Sequence, residues 1–388
     1  MKSPFFNEDH EMIRDLAREF AEGELKDAAV EMDKTEEFPQ EILDAMGEMG
    51  LFGLEIPEEY GGAGMDVRSY VCVMEEIAKH CASAAVFVSG FNSLGSAPIL
   101  MDGTEEQKQK YLPGIASGKE FMAFGLTEPN AGSDAGSMTT SAVVDPSDPD
   151  YYIINGRKCF ITGAPIATNC LVYAKTSPEK GSKGITCFIV GMDQEGVSVG
   201  KHEEKMGQRA NPTSDVILED VRVHKDQILG TVDEGFMNAL KTLSLGRVGV
   251  SSLSIGMAQG AMDLAVEHMK ERKQFGKPLA KFQALQFKMA EAETKLNAAR
   301  LLTYNAAYLL DMQHEGEKVD PTKDAAMAKF FAADTAIEVI STCLQMFGGY
   351  GYSREYPIER IYRDVRVNSI YEGSSEIQKI VIAGKLFK

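Results

Sequence analysis

The sequence predicts an α+β chain of three parts: a helical N-terminal domain (residues 1–121), a middle antiparallel β domain (122–235) and a C-terminal four-helix bundle (236–388). Three observations carry this. Apolar residues recur at helical spacing at both ends of the chain. Short β-rich runs cut by Pro and Gly fill the middle. No alternating βαβ units occur, which argues against a doubly wound sheet. In EMIRDLAREFAEGEL, Met12, Ile13, Leu16, Ala17 and Phe20 share one helix face. EILDAMGEMGLFGL repeats the pattern, and the turn cluster PEEYGGAGMD separates it from a helix in VRSYVCVMEEIAKH. Residues 81–101 carry no charge, but Ser83, Gly90, Asn92 and Pro98 make the stretch too polar and interrupted for a membrane span. It reads as a buried helix with its following turn, or as the small-residue wall of an apolar cavity.

In the middle third, YYIINGRKCFIT has β-rich ends around Asn155-Gly156, a pair that predicts a hairpin turn. NCLVYAK, GITCFIV and SDVILEDVRV are further strands, together predicting a sandwich or barrel. From about residue 236 the helical period returns. VGVSSLSIGMAQGAMDLAVEHMKER, LQFKMAEAETKLNAARLLTYNAAYLLDM and TKDAAMAKFFAADTAIEVISTCLQMF are long helices of a bundle, with Arg247 at the opening of the first.

The 388 residues are 44% hydrophobic and 25% charged, as in soluble globular proteins. With 40 Lys+Arg against 58 Asp+Glu, the net charge is −18. That deficit argues against nucleic acid, whose phosphates demand a dense basic face, and against anionic membranes. A small anion held by a few local donors stays open. The first residues are acidic and lack an apolar run, so no leader is expected. The six scattered cysteines fit the reduced core of a cytoplasmic protein. The chain contains no GxGxxG, P-loop, GxSxG or HExxH pattern, so Rossmann, nucleotide-hydrolysing, serine-hydrolase and metal readings lack support.

Five segments could carry chemistry. FMAFGLTEPNAGSDAG (121–136) enters a loop whose backbone N–H groups, with Thr127 and Ser133, suit an electron-rich ligand, although ordinary turn chemistry has the same composition. KERKQFGKPL ends a helix with Arg272 and Lys273, as a macrodipole complement or a phosphate contact. MFGGYGYSREYPIER closes another helix in glycines. SIYEGSSEIQKIVIAGKL sets Glu372 before a last helix, where Ser375 and Gln378 fit a capping box. The helix N-terminus favours ionised Glu372, and burial under an apolar ligand favours the neutral acid. Arg247 is either an interface ion pair or an anion contact.

Together these segments resemble the acyl-CoA dehydrogenase family over essentially the whole chain. GLTEPNAGSD, ERKQFGKPLAKFQ, QMFGGYGYSREYPIERIYRD and SIYEGSSEIQ occur in the family's order, most like short- and medium-chain members such as bacterial butyryl-CoA dehydrogenases. The resemblance implies bound FAD and an acyl-CoA substrate. Glu372 would remove the α-proton, its backbone N–H would help hold the thioester carbonyl, and hydride would pass to flavin N5. Leu126, Thr127, Phe160 and Thr162 would touch the flavin. Arg272, Gln274, Phe275, Gln345 and Gly349 would contact FAD, that of a neighbouring subunit, and Ser374 and Glu376 would complete the cofactor site. Ser133, Arg247, Tyr371 and Gly373 would face substrate. Electrons would go to an electron-transfer flavoprotein, and the assembly would be a homotetramer, a dimer of dimers.

Four departures qualify the match. The family's Ile-Thr-Asn-Gly reads Ile161-Thr162-Gly163-Ala164, and an Asp that helps hold CoA in several relatives is Ser244. Trp is absent, leaving Phe160 as the flavin-facing aromatic. Gly246 stands where isovaleryl- and long-chain-type members keep an alternative catalytic Glu, which favours Glu372 as base. The same fold also serves enoyl-CoA reductases and dehydrogenases of cyclic or aromatic acyl-CoAs. A non-catalytic flavin-binding scaffold is the alternative outside enzymology.

Overall fold

The computed structural model describes residues 4–387. Seven α-helices form the first layer: α1 (Glu8–Phe20), α2 (Lys26–Thr35), α3 (Gln40–Glu48), α4 (Val67–His80), α5 (Ala82–Ser89), α6 (Ala97–Asp102) and α7 (Glu105–Ala116). Asn7 caps α1 by accepting the His10 N–H, which satisfies a donor the helix leaves open. The buried stripe of α1 is narrower than its sequence pattern. Ile13, Ala17 and Phe20 are buried, while Met12 and Leu16 lie on its flank and are exposed.

After an extended Cys81 the uncharged stretch is helical, with a π-helical segment (Gly90–Ser96) joining α5 to α6. Pro98 does not break it, because it stands in the first turn of α6, where its missing N–H is not needed. By length and composition Ala82–Asp102 could cross a membrane, but it is mostly buried within the protein. Asn92 anchors it, accepting the Leu54 N–H and donating to the Leu51 and Val88 carbonyls, each at 2.8 Å.

The middle strands are β1 (Met122–Gly125), β2 (Ser141–Asp145), β3 (Asp148–Thr162), β4 (Asn169–Lys175), β5 (Ile185–Gly191), β6 (Val197–Val199), β7 (Thr213–His224) and β8 (Ile228–Leu229). They form one sheet in the order β6-β7-β3-β2-β4-β5-β8, with β1 beside β4. The sheet is not wholly antiparallel, since β1 and β4 run parallel. The hairpin expected at Asn155-Gly156 is not there. β3 runs straight through that pair, and the turn falls between Asp145 and Asp148. Gly156 serves contact instead: a Cβ there would lie 2.2 Å from Thr140 Oγ1, at an irregularity in the β3–β7 register.

The last layer contains α8 (Gly235–Glu271), a two-strand ribbon of β9 (Lys273–Gln274) and β10 (Lys277–Pro278), α9 (Gln283–His314), α10 (Thr322–Phe347), α11 (Pro357–Val365) and α12 (Ser375–Leu386). Helix α8 begins twelve residues before Arg247, so this arginine lies inside it rather than at its opening. α4 and α8 cross closely because α8 presents glycines. A Cβ on Gly256 would meet the Glu75 carbonyl oxygen at 2.2 Å, and one on Gly260 the Lys79 carbonyl oxygen at 2.2 Å. Arg300 of α9 then binds Glu75 at 2.7 Å, and Tyr304 donates to the same carboxylate at 2.6 Å. All six cysteines are free and buried.

Gly256→Val should force α4 from α8 and cost about 1–3 kcal/mol of stability. An unchanged denaturation midpoint would show that the helices do not cross through this glycine.

Candidate active site

A cavity of about 460 Å³ opens where the three layers meet. The middle layer supplies the loop after β1 and the end of β3. The loop owes its shape to a buried ion pair. Lys158 Nζ, from β3, lies 2.8 Å from Glu128 Oε1 and 3.2 Å from the Leu126 carbonyl oxygen. Glu128 also accepts from the Thr139 N–H and hydroxyl and from the Thr140 N–H. These contacts close the Glu128–Thr140 loop and turn Leu126, Thr127 and Ser133 to the cavity. Burial alone would raise the Glu128 carboxyl, but Lys158 and the threonine donors outweigh it and hold it at about 2.

Phe160 and Thr162, at the end of β3, line the cavity together with this loop. Phe160 has φ +56° and is 67% exposed. A bulky side chain in the left-handed region costs free energy, and such strain concentrates at binding sites. The apolar end is formed by Val86, Ser89 and Gly90 of the uncharged stretch, with Val250 and Leu253 of α8. The cavity-wall reading of that stretch therefore agrees with where it packs.

Tyr371, Glu372 and Gly373 close the cavity from the turn before α12. Glu372 has φ +52° and Gly373 φ +87°, so two consecutive residues are left-handed. Gln378 Nε2 pins them, donating to the Glu372 carbonyl at 3.2 Å and the Gly373 carbonyl at 2.8 Å. Lys329 Nζ donates to the Gly373 carbonyl at 2.9 Å. The expected capping box is not formed. Ser374 caps α12 instead, Ser375 donates to Asp334, and Gln378 is spent on the turn.

The turn swings Glu372 over α8. A Cβ on Gly246 would stand 1.9 Å from Glu372 Oε2, so only glycine fits beneath the carboxylate. Glu372 Oε2 is shielded and has no hydrogen-bond partner, and neither does the buried Nε of Arg247. The Glu372 N–H also lacks an acceptor among the described residues. Burial pushes the Glu372 carboxyl up to about 7, against the pull of Lys329 and Arg247. Of the two effects opposed in the sequence, burial sets the direction, and the opposing pull comes from these two cations. A carboxyl poised there can give or take a proton at neutral pH.

The remaining predicted residues lie apart. Arg272 ends α8, Gln274 and Phe275 ride the β9–β10 ribbon, Gln345 is near the end of α10, and Gly349 is in the next turn. Arg272 sits 5.3 Å over the Tyr350 ring, and none of the five lines the cavity. Ser374 caps α12 and Glu376 stands in its first turn, and neither lines the cavity. Sequence reasoning missed Lys329 and the Lys158–Glu128 pair. A lone lysine inside AAMAKFFAA, where a charge should not be buried without cause, was the available signal for the first.

Comparison with known proteins agrees with this layout. Models described as acyl-CoA dehydrogenase N-terminal, middle and C-terminal domains match residues 7–119, 123–221 and 233–387. The chain is 57% identical over 384 residues to a 3-(aryl)acrylate reductase of Clostridium sporogenes, covering 99% of this chain and 100% of that one. It is 53% identical over 385 residues to the CarC subunit of the caffeyl-CoA reductase–Etf complex of Acetobacterium woodii, covering 99% and 100%. The solved structure of butyryl-CoA dehydrogenase from Megasphaera elsdenii superposes with a TM-score of 0.95 at 40% identity, covering 100% of both chains.

Two outcomes follow from the geometry. Gly246→Ala should displace the Glu372 carboxylate by more than an ångström and slow any reaction it serves by about 10²-fold, measured as kcat with the fold intact. Glu128 contributes stability that is full above the ordinary carboxylate value of 4.5 and is lost as pH falls toward about 2. A Lys158→Met variant should lose that acid limb in a pH series of thermal melts.

Proposed function

The chain belongs to the acyl-CoA dehydrogenase family of FAD-dependent oxidoreductases acting on CH–CH bonds, and on that premise we propose that it reduces the α,β double bond of an aryl-substituted 2-enoyl-CoA. The observation that carries the chemistry is the Glu372 carboxyl, unpartnered at Oε2 and held near neutrality at the cavity wall.

The residues present fit the cofactor. Leu126, Thr127, Phe160 and Thr162 make a wall of apolar surface and hydroxyls on one side, and Glu372 faces it from the other. When bound and reduced by two electrons, the flavin of FAD would supply the hydride for the β-carbon and return to its oxidised form. Glu372 supplies the proton at the α-carbon from its protonated carboxyl. Its free backbone N–H is a donor for the thioester oxygen, where negative charge grows as the double bond is reduced. Arg247, buried with an open Nε, offsets the charge of Glu372 once the proton has left. Ser133 and Ser182, further along the cavity, offer hydroxyls to the CoA arm. Tyr371, its hydroxyl 3.0 Å from Asn368 Oδ1, and Gly373 hold the substrate side of the turn.

The aryl class is supported by the names of the 57% and 53% identical relatives. It is also supported by an acyl end built from Ser89, Gly90 and Val86, side chains small enough to admit a flat ring. Electrons would come from an electron-transfer flavoprotein, as the Etf complex of the second relative suggests. Arg272, Gln274, Phe275, Gln345 and Gly349 would serve the FAD of a second copy in a homotetramer. Phe275, 94% exposed at φ +52°, is costly without such a partner. The reverse reaction, dehydrogenation of a short linear acyl-CoA with Glu372 as base, is the reading favoured by the likeness to butyryl-CoA dehydrogenase.

Purified protein should be yellow and reduce cinnamoyl- or caffeyl-CoA faster than crotonyl-CoA when given a reduced dye. Preference for crotonyl-CoA, with brisk butyryl-CoA oxidation, would reverse the assignment. Glu372→Gln should keep FAD and lose about 10²–10⁴-fold in kcat. Reduction uses protonated Glu372, so its rate should fall as pH rises through about 7, whereas oxidation uses the anion and should rise there.

A further inference from the structure

We infer that Lys329 is a positioning residue for Glu372, pinning the left-handed turn through the Gly373 carbonyl while presenting its positive charge to the Glu372 carboxylate.

Lys329 lies in α10 with a relative exposure of 0%, and it is among the largest fully buried side chains of the protein. Burying an ammonium is expensive unless the charge is compensated. Its one hydrogen bond among the described residues is to the Gly373 carbonyl, at 2.9 Å, and no carboxylate forms an ion pair with it. That carbonyl already accepts from Gln378 Nε2 at 2.8 Å. A neutral amide thus suffices to hold the turn, and what lysine adds is charge.

The groups facing this ammonium are few. Glu372 comes first, then Asp334 of α10 itself, Arg247 of α8 and Glu376 of α12. Asp334 and Glu376 are both exposed, and Asp334 is engaged with the Ser375 hydroxyl at 2.8 Å. Glu372 is therefore the acid through which a buried Lys329 can act. Around Glu372 itself the facing cations are Lys329 and Arg247, and the phenols of Tyr70 in α4 and Tyr371 also feel its charge.

The direction follows. A cation beside a buried carboxylate favours the anion and lowers its proton affinity. Lys329 and Arg247 thus bring back toward neutrality a carboxyl that burial alone would raise further. Burial lowers the Lys329 ammonium to about 8, so acid and lysine titrate in adjacent ranges and their midpoints belong to the pair.

This inference concerns the ionisation of Glu372 and not the substrate class, so it survives if the aryl reading fails. The test is a pH titration of the Glu372 carboxyl in the FAD-bound enzyme by infrared difference spectroscopy, with Glu372→Gln as the blank. It is run beside the pH profile of kcat. Lys329→Met should move the midpoint and the kinetic limb upward by about 1 pH unit or more, and Lys329→Arg should restore both. Lys329→Gln keeps a donor for the carbonyl without the charge, and it should show the same upward shift with the turn intact. A folded Lys329→Gln enzyme whose midpoint matches the wild type would reduce Lys329 to a structural prop and overturn the inference.

Discussion

A carboxylate held over a glycine is the constraint from which the rest of the site follows. Glu372 can reach the cavity only because Gly246 has no side chain, since a Cβ there would stand 1.9 Å from Oε2. It can keep that place only because the Glu372–Gly373 backbone is left-handed and tied down by Gln378 and Lys329. The strain of a non-glycine residue at φ +52° is stored at the cavity wall. Burial does the electrostatic part. In water a glutamate would be ionised at neutral pH, but packed against α8 it sits near the midpoint of its titration.

The opposite wall uses the reverse device. Glu128 is also a buried carboxylate, yet it is kept ionised by Lys158 and three threonine donors. Paired in this way it has no proton to exchange, and it acts as a staple. The two acids show that burial alone does not decide a role. Satisfied lone pairs make a carboxylate structural, whereas an unpartnered carboxyl at a cavity wall is a candidate for proton exchange.

The charge of −18 fits this arrangement without opposing it. Most of the acidic groups are exposed, on helices, strands and loops alike, where they aid solubility. The cations that matter are inside: Arg247 is 4% exposed and Lys329 and Lys158 are 0% exposed.

Much of the architecture could be read from periodicity. The helical ends, the β-rich middle and the small-residue helix α8 follow from spacing and from glycine content, and the signature segments carried the family. The loop from Leu126 to Ser133, Phe160, Arg247 and Glu372 could be chosen only through the resemblance of their segments to the family. Register and contact could not. Asn155-Gly156 has the composition of a hairpin turn, but it became the interior of β3 because Thr140 needed the space of a missing Cβ. Met12 and Leu16 fit the helical stripe of α1 and stayed outside it. The sequence by itself determined the layers, because these follow from local pattern, and through its resemblance to the family it pointed to the cofactor class and to Glu372 as the candidate acid. Only the tertiary structure decided how that acid is tuned. Its proton affinity depends on how deeply it is buried and on Arg247 and Lys329, which lie 125 and 43 residues away in the chain and meet it only when α8 and α10 pack together.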